Sequence, residues 1–535
     1  MPRPICKAQR SFQLICTVAA MGCSSSAVLG VSGELDTDQP TSAGLTSVPA
    51  AVGQALRSAT IIGGSDEEHP WMRRPSLGDI DGDGLDDFLV EASWNDANGA
   101  DYGNRAFLFY GKAEFPAQLS TADADAVFES GELSATTLGD INGDGFADFA
   151  LGDWSGFEII FGSSTRFTGM HARFASGLAW QPRTPSEALL YLRPVGDVDG
   201  DGAAEFRVTV VSEVPESEIS NRSSELVTDY LIAGRKDGWP SGAWDPSWAV
   251  AQLGDEPPAF ENDGLTTVLQ RLNIVTGSDL DGDGYSDLLA LGRWRMWVFY
   301  GSERGFHGTL ATEQADASLV WPYDATQRRP EFSKTLPFVL GDVDGDGTAE
   351  IAVPKQAELG IVYGSKRRWS GRVQLEPELT IVRATTELAE RNWWVALAED
   401  LTYGAPFPEG NVATSIRVGV TDLDGDAQRE IVLHETRYPP LLESNNGQVI
   451  SVMYTLLGAN KRATGRYVLS DSNIYRAEAV SGATDALGRG MLLDPGGDFD
   501  GDGSTDLIFG VLQDPAVSDS KVSLHLVPGT PRAPD

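Results

Sequence analysis

A nine-residue acidic loop recurs seven times along the chain and constrains what the chain can fold into. The first copy is Asp79-Ile80-Asp81-Gly82-Asp83-Gly84-Leu85-Asp86-Asp87, with acids at positions 1, 3, 5 and 9 and glycines at positions 4 and 6. Loops 1 to 7 begin at Asp79, Asp140, Asp197, Asp279, Asp342, Asp422 and Asp498. Their regular spacing indicates a repeat array in which each repeat is one structural unit.

The pattern of acids in each loop predicts a site for a hard cation. Carboxylates this close repel one another unless they share a cation, and Ca²⁺ prefers such oxygen ligands. Positions 1, 3, 5 and 9 offer side chains, position 7 offers its backbone carbonyl, and the glycines permit the sharp turn. We therefore predict up to seven Ca²⁺ ions. The predicted ligands are Asp79, Asp81, Asp83, Leu85 and Asp87; Asp140, Asn142, Asp144, Phe146 and Asp148; Asp197, Asp199, Asp201, Ala203 and Glu205; Asp279, Asp281, Asp283, Tyr285 and Asp287; Asp342, Asp344, Asp346, Thr348 and Glu350; Asp422, Asp424, Asp426, Gln428 and Glu430; and Asp498, Asp500, Asp502, Ser504 and Asp506.

The acidic pattern of the loops has two other interpretations, an EF-hand and a turn that binds no metal. An EF-hand needs a bidentate Glu at position 12 between two helices. Position 12 is apolar in every copy, and a β-rich run follows each loop, which excludes that motif. The other alternative is that the loops are only acidic turns between strands. It is strongest for loop 6, where Ala427 replaces the second glycine, and we expect loop 6 to be the weakest site.

Four short strands are predicted in each repeat. A strand such as residues 88–90 follows the loop, a third strand ends in Gly, as at residues 106–111, and a fourth run follows, as at residues 379–382 or 467–469. Four strands repeated seven times predict an all-β fold, a seven-bladed β-propeller with a calcium loop between strands one and two of each blade. The seventh repeat lacks a fourth strand, so Ala59-Thr60-Ile61-Ile62 is predicted to complete it and protect its edge.

The loops, each followed by an apolar strand and then by a strand ending in Gly, resemble the FG-GAP and VCBS repeats of integrin α-subunit propellers and many bacterial surface proteins. The resemblance covers about residues 59–530. It implies a propeller with calcium in its loops. The flanking Phe-Gly and Gly-Ala-Pro signatures are mostly missing, so integrin-like ligand binding is not implied.

The N-terminus predicts export. Basic residues precede an apolar run at residues 12–21, and Gly22-Cys23 with the serines that follow resembles a lipoprotein processing site. We expect a signal peptide at 1–22, a tether at 23–58, the propeller at 59–530 and a tail at 531–535. Lipid on Cys23 would anchor the protein to the membrane of a cell envelope, as an outer-membrane lipoprotein or at the cell surface. Ordinary cleavage with secretion and an uncleaved anchor are the alternatives.

Charge and cysteine content limit the kinds of partner that the protein can bind and the ways in which it can be stabilised. The formal net charge is -38, and the chain has no basic stripe to neutralise phosphates, so nucleic acid is excluded as a partner. Its three cysteines, Cys6, Cys16 and Cys23, leave no pair for a disulfide after processing before Cys23. We expect a monomer whose stability depends on core burial and metal.

The order of antiparallel strands predicts a binding face. It places the metal loops and the connections between third and fourth strands on one rim, and the long insertions on the other. The insertion at residues 387–412 carries Trp393, Trp394, Tyr403 and Phe407, which are candidates for contacting a protein or glycan. The alternative is that these aromatic residues pack over the central opening.

Enzyme motifs are missing from the sequence. The five histidines are scattered without zinc spacing, and no nucleophile elbow or phosphate-binding glycine loop occurs. We therefore predict no catalytic residues and a non-enzymatic binding or adhesion module. A glycosidase or polysaccharide lyase on the same scaffold and a purely structural envelope protein are the alternatives, because carboxylate pairs for sugar chemistry form only in three dimensions.

Overall fold

The computed structural model describes residues 59–62, 68–71, 76–95, 101–130, 134–153, 155–175, 178–184, 187–213, 225–236, 238–254, 273–291, 295–320, 338–355, 358–383, 393–397, 414–423, 425, 429–437, 448–456, 462–469, 474–481, 493–512, 522–527 and 529. The regular secondary structure of these residues is nearly all β-strand, with single-turn 3-10 helices at Thr121–Asp123, Pro246–Trp248 and Thr312–Gln314. No helix within these ranges is long and apolar enough to cross a membrane.

The described strands, numbered in chain order, form seven sheets, one for each repeat. Sheet 1 contains β2 (Glu68–Trp71), β3 (Ser76–Gly78), β4 (Asp87–Asn95), β5 (Asp101–Phe109), β7 (Ala126–Ser130) and β11 (Gly169–His171). Sheet 2 contains β8 (Ser134–Gly139), β9 (Asp148–Asp153), β10 (Gly156–Ile160), β12 (Leu178–Gln181) and β16 (Gly242–Ala243). Sheet 3 contains β13 (Glu187–Gly196), β14 (Glu205–Glu213), β15 (Glu225–Ile232), β17 (Ala251–Leu253) and β21 (Gly308–Leu310). Sheet 4 contains β18 (Asn273–Ser278), β19 (Asp287–Leu291), β20 (Met296–Phe299), β22 (Ala317–Val320) and β26 (Gly371–Gln374).

The remaining three sheets come from the C-terminal part of the chain and its N-terminal strand. Sheet 5 contains β23 (Phe338–Gly341), β24 (Glu350–Lys355), β25 (Glu358–Val362), β27 (Leu379–Arg383) and β32 (Gly465–Leu469). Sheet 6 contains β28 (Trp393–Leu397), β29 (Thr414–Thr421), β30 (Glu430–Arg437), β31 (Gln448–Leu456) and β33 (Ile474–Ser481). Sheet 7 contains β34 (Leu493–Gly497), β35 (Asp506–Leu512), β36 (Val522–Val527), β1 (Ala59–Ile62) and β6 (Gln118–Ser120).

Six of these sheets gain an edge strand from the next repeat. The added strand is short and runs parallel to the fourth strand of the sheet that it joins, as β11 does on β7 and β26 does on β22. A fourth strand without such a partner would expose a row of backbone N–H and C=O groups. The repeats therefore cover one another's edges.

Apolar clusters lie between consecutive sheets. Leu89 of sheet 1 packs with Phe149 of sheet 2, and similar clusters join sheets 2 and 3, 3 and 4, and 4 and 5. Phe88 of sheet 1 packs instead with Ile508 and Leu526 of sheet 7. Because successive strand residues point to opposite faces, Phe88 and Leu89 contact different neighbouring sheets. This explains why the strands after the metal loops are continuous apolar runs.

The predicted closure by the N-terminal strand is confirmed. β1 pairs antiparallel with β36, with Ala59 opposite Leu526 and Ile61 opposite Leu524. Its other edge pairs with β6 of the first repeat. Ile61 is fully buried, so β1 contributes core packing as well as backbone pairing.

Two details of the predicted strand pattern are wrong. Residues 467–469 belong to β32, which adds to sheet 5, and the fourth strand of sheet 6 is β33, residues 474–481. Trp393 and Trp394 lie on β28, a strand that pairs parallel with β29, and not in an irregular loop. Both differences arise because pairing with a neighbour satisfies backbone groups that a loop would leave to water.

Candidate metal centres

The first Asp holds the turn together in the six loops that the structure describes in full. Its two carboxylate oxygens accept hydrogen bonds from the N–H groups of positions 4 and 6; in loop 1 Gly82 and Gly84 donate to Asp79 at 2.6 and 2.9 Å. The same pair of bonds occurs in loops 2, 3, 4, 5 and 7. Gly82 and Gly84 have φ of 78° and 89°, where a side chain would be strained. The glycines therefore give the loop the conformation that the pattern predicted.

Positions 3 and 5 are arranged by the same kind of local bond. In loop 1 the N–H of Asp83 donates to Asp81 at 3.1 Å, and the N–H of Leu85 donates to Asp83 at 3.0 Å. In loop 2 position 3 is Asn142, whose side-chain oxygen accepts from the N–H of Asp144 and whose amide donates to that carboxylate. The described position 7 residues donate to the position 5 carboxylate from their N–H groups, and Thr348 and Ser504 donate from their hydroxyls as well. Their backbone carbonyls stay predicted ligands.

The position 9 carboxylate is buried, and it accepts two backbone hydrogen bonds that the sequence did not predict. In loop 2, Asp148 accepts from the N–H of Ile141 at 3.0 Å and from the N–H of Gly162, at the end of the third strand, at 2.9 Å. Equivalent pairs of bonds occur at Asp87, Glu205, Asp287, Glu350 and Asp506. Position 9 thus ties its loop to the third strand of the same sheet.

Burial dominates the electrostatics of these carboxylates. Loss of solvent raises the pKa of Asp87, Asp148, Glu205, Asp287 and Asp506 to about 7 and that of Glu350 to about 8. The backbone hydrogen bonds lower each pKa in part, and neighbouring acids of the loop raise it further. A cation at the loop would favour the ionised form.

Five loops bring carboxylate oxygens together closely enough for one ion. Loop 5 contributes Asp342, Asp344, Asp346 and Glu350, with one oxygen of each within 4.8 Å of the others. Loops 1, 3, 4 and 7 each bring together positions 1, 3 and 9. These oxygen donors are hard ligands and fit Ca²⁺ rather than Zn²⁺, which favours Cys and His.

Part of the predicted site lies outside the described residues. In loop 6, Glu430 accepts from the N–H of Leu423 at 2.6 Å, as its counterparts do. Asp424, Asp426 and Gln428 are not among the described residues, and neither are Cys23, Tyr403 and Phe407. For Trp393 and Trp394 only the backbone position on β28 is described.

Within the described residues, backbone hydrogen bonds join six pairs of neighbouring loops. The N–H of position 8 donates to the position 1 carbonyl of the preceding loop, from Ala147 to Asp79 at 2.9 Å and from Ala204 to Asp140 at 2.7 Å. Equivalent bonds join loops 3 and 4, 4 and 5, and 6 and 7. The N–H of Asp86 donates to Asp498 at 2.9 Å, which joins loop 7 back to loop 1.

Three arginines that were not among the predicted site residues contact the loops. Arg166 donates to Asp81 and Asp83 of loop 1, Arg368 to Asp281 and Asp283 of loop 4, and Arg462 to Asp344 and Asp346 of loop 5. Each arginine lies four residues beyond the Gly that ends a third strand, a regularity that the sequence contains. Their contacts confirm that the loops share a rim with the connections between third and fourth strands.

A substitution at one of these terminal glycines tests the packing around the loop. A Cβ at Gly162 would lie 2.4 Å from the carbonyl oxygen of Ala147 and 2.7 Å from that of Ile80. We expect Gly162→Ala to reduce the free energy of unfolding by about 3 kcal/mol, because the backbone must move and weaken the bond to Asp148. Gly169→Ala is the control: φ is +76° but the space is open, so a loss of about 1 kcal/mol is expected. Equal losses in urea unfolding would contradict this account.

Comparisons with known proteins give only distant likenesses. No family model matches the chain, and no curated protein matches it. Among solved structures, an Agrocybe aegerita lectin that recognises non-reducing terminal N-acetylglucosamine aligns at 14% identity over 84% of this chain and 88% of that chain, with a TM-score of 0.35. The BBS1N chain from a complex with ARL6DN aligns at 10% identity over 88% and 94%, with a TM-score of 0.33. Rhamnogalacturonan lyase YesW aligns at 14% identity over 84% and 81%, with a TM-score of 0.30. At these scores the likenesses carry no argument about activity or ligand.

Proposed function

We propose that this protein is a calcium-binding, seven-bladed β-propeller. The observation that carries the proposal is the convergence of three or four carboxylates in five separate loops, each around one small volume. Seven described sheets and the backbone hydrogen bond that joins loop 7 to loop 1 support the blade count. Calcium bound at a loop would reduce the repulsion among its acids and stabilise the folded state.

Removal of calcium is the direct test. We expect the thermal unfolding midpoint to fall when a chelator is added, because an ion that binds only the folded state must stabilise it. Loops at extracellular sites commonly bind Ca²⁺ with dissociation constants of about 0.1 to 1 mM. Calorimetry should therefore be run with chelator and at millimolar calcium, with magnesium as the control ion. An unchanged midpoint would remove the metal from the proposal.

The protein's role is proposed as a non-enzymatic module that binds a protein or a glycan outside the cytoplasm. Two features support it. Metal binding and the hydrogen bonds of position 9 to the third strand account for the acids of the loops without a catalytic role. β28 brings the aromatic pair Trp393-Trp394 onto sheet 6. A glycan array combined with a reducing-sugar release assay tests the role. Binding without release supports it, release of sugar would make the protein an enzyme, and the absence of both leaves a protein ligand to be sought by envelope cross-linking.

Anchoring through Cys23 is proposed from the N-terminal sequence. We expect Cys23→Ala to release the protein from membranes or leave it unprocessed, because the thiol is the atom that would carry lipid. Mass spectrometry of the mature N-terminus should find a diacylated or triacylated Cys. Cys16→Ala is the matched control and should leave anchoring unchanged. A free amino terminus elsewhere would indicate ordinary secretion.

A further inference from the structure

The loops differ in whether an arginine side chain of the protein contacts their carboxylates. In loops 1, 4 and 5 a guanidinium from the next repeat bridges the position 3 and position 5 carboxylates. Arg462, for example, donates through Nε to Asp344 at 3.1 Å and through Nη2 to Asp346 at 2.7 Å. Among the described residues of loops 2, 3 and 7, no arginine makes such a bridge.

A tyrosine positions each of these arginines. Arg166 lies over the ring of Tyr110, Arg368 over Tyr300 and Arg462 over Tyr363, with 4.6, 4.8 and 5.3 Å from guanidinium carbon to ring centre. In the first two cases the tyrosine hydroxyl also accepts from the N–H of the residue after the arginine, at 2.6 and 2.7 Å. The stacked, doubly hydrogen-bonded guanidinium is therefore held in place rather than free in solvent.

Tyrosine and arginine occur together or not at all. The residue before the terminal Gly is Tyr in the three repeats that own loops 1, 4 and 5, and it is Phe161, Ala233, Leu457 and Pro528 in the other four. At the sequence position of the arginine, four residues beyond the terminal Gly of the next repeat, these four cases have Gly238, Gly305, Ala533 and Phe115. Because tyrosine and arginine occur together in separate repeats, the same arrangement of the two side chains is used at three loops.

We propose that Arg166, Arg368 and Arg462 supply the positive charge that calcium supplies elsewhere, so that the protein has two classes of loop. Loops 1, 4 and 5 are guanidinium-bridged and keep their shape without calcium, whereas loops 2, 3 and 7 are open and depend on it. A guanidinium on two of the ligand carboxylates repels Ca²⁺ and occupies oxygens that the ion would use. This inference rests on the proposed calcium function and concerns which loops perform it.

The wild-type protein gives the first test without any substitution. Peptide-resolved hydrogen exchange is measured with chelator and with millimolar calcium. We expect chelation to increase exchange in peptides covering loops 2, 3 and 7, residues 140–148, 197–205 and 498–506, and to change little at loops 1, 4 and 5. A uniform increase across all loops would overturn the two classes while leaving the calcium function intact. No calcium-dependent change anywhere would overturn both.

Substitution gives the second test. Arg166→Gln keeps a hydrogen-bonding side chain and removes the charge, so loop 1 should bind Ca²⁺ about tenfold more tightly and native mass spectrometry should show one additional ion at subsaturating calcium. Arg166→Lys keeps the charge without the forked geometry and should show a smaller gain. Arg183→Gln, which breaks a pair with Glu187 away from the loops, should change nothing. Weaker calcium binding in Arg166→Gln would show that the arginine assists the ion, and would overturn the inference.

Discussion

Deletion of residues 1–62 is expected to open the circuit of sheets, whereas deletion of residues 1–54 is expected to change stability little. The longer deletion removes β1, which pairs with β36 on one edge and with β6 on the other. It also removes Ile61, which is fully buried in a cluster with Phe499 and Leu526. The lost apolar burial and strand hydrogen bonds correspond to at least about 4 kcal/mol.

Thermal unfolding and light scattering after gel filtration measure this effect. The longer truncation should unfold at a lower temperature and associate through the exposed edge of β36, since unpaired strand edges recruit other chains. Ile61→Ala in the full-length chain keeps the backbone pairing and should lose about 2–5 kcal/mol by itself. If the longer truncation stays monomeric with the midpoint of the shorter one, β1 does not close the fold.

The second large effect is a calcium-dependent reversal of the pH profile of stability. Burial raises the pKa of five position 9 carboxyls to about 7 and that of Glu350 to about 8. Their unfolded values are near 4, so the folded state binds more protons between these limits. Without metal, stability is therefore greatest at low pH and falls as pH rises through the folded pKa values. With calcium bound, the ionised carboxylates are the ligands, and the loss is offset.

Calorimetry at about pH 5 and about pH 8, in chelator and in millimolar calcium, measures the reversal. In chelator we expect the midpoint to fall by on the order of 10 °C across this range. In calcium the fall should be small or become a rise. A midpoint that rises with pH in chelator would show that these carboxyls are ionised in the metal-free fold, contrary to the effect of their burial.

The turns of the loops and the strands that follow them are predicted correctly because they depend on residues close together in the chain. The turn around Asp79 is built within nine residues, because its carboxylate accepts from Gly82 and Gly84 and needs no other part of the molecule. The apolar strands after each loop follow from local patterning, since a strand buried on both faces has no polar alternation. Closure by Ala59–Ile62 was predictable because the seventh repeat lacks a fourth strand of its own, and the strand Ala59–Ile62 precedes the first repeat without belonging to it.

Contacts between repeats were decided by tertiary structure alone. Arg166 and Asp81 are 85 residues apart, and no local rule states that one repeat's connection will lie over the preceding repeat's loop. The same holds for β32, which looks like a fourth strand of its own repeat and pairs instead with β27. The acids of a loop can be recognised from their mutual repulsion, but the cation that relieves it depends on which groups the neighbouring repeat brings within hydrogen-bonding distance. Packing sets those groups, because apolar faces and covered strand edges fix how the repeats sit against one another.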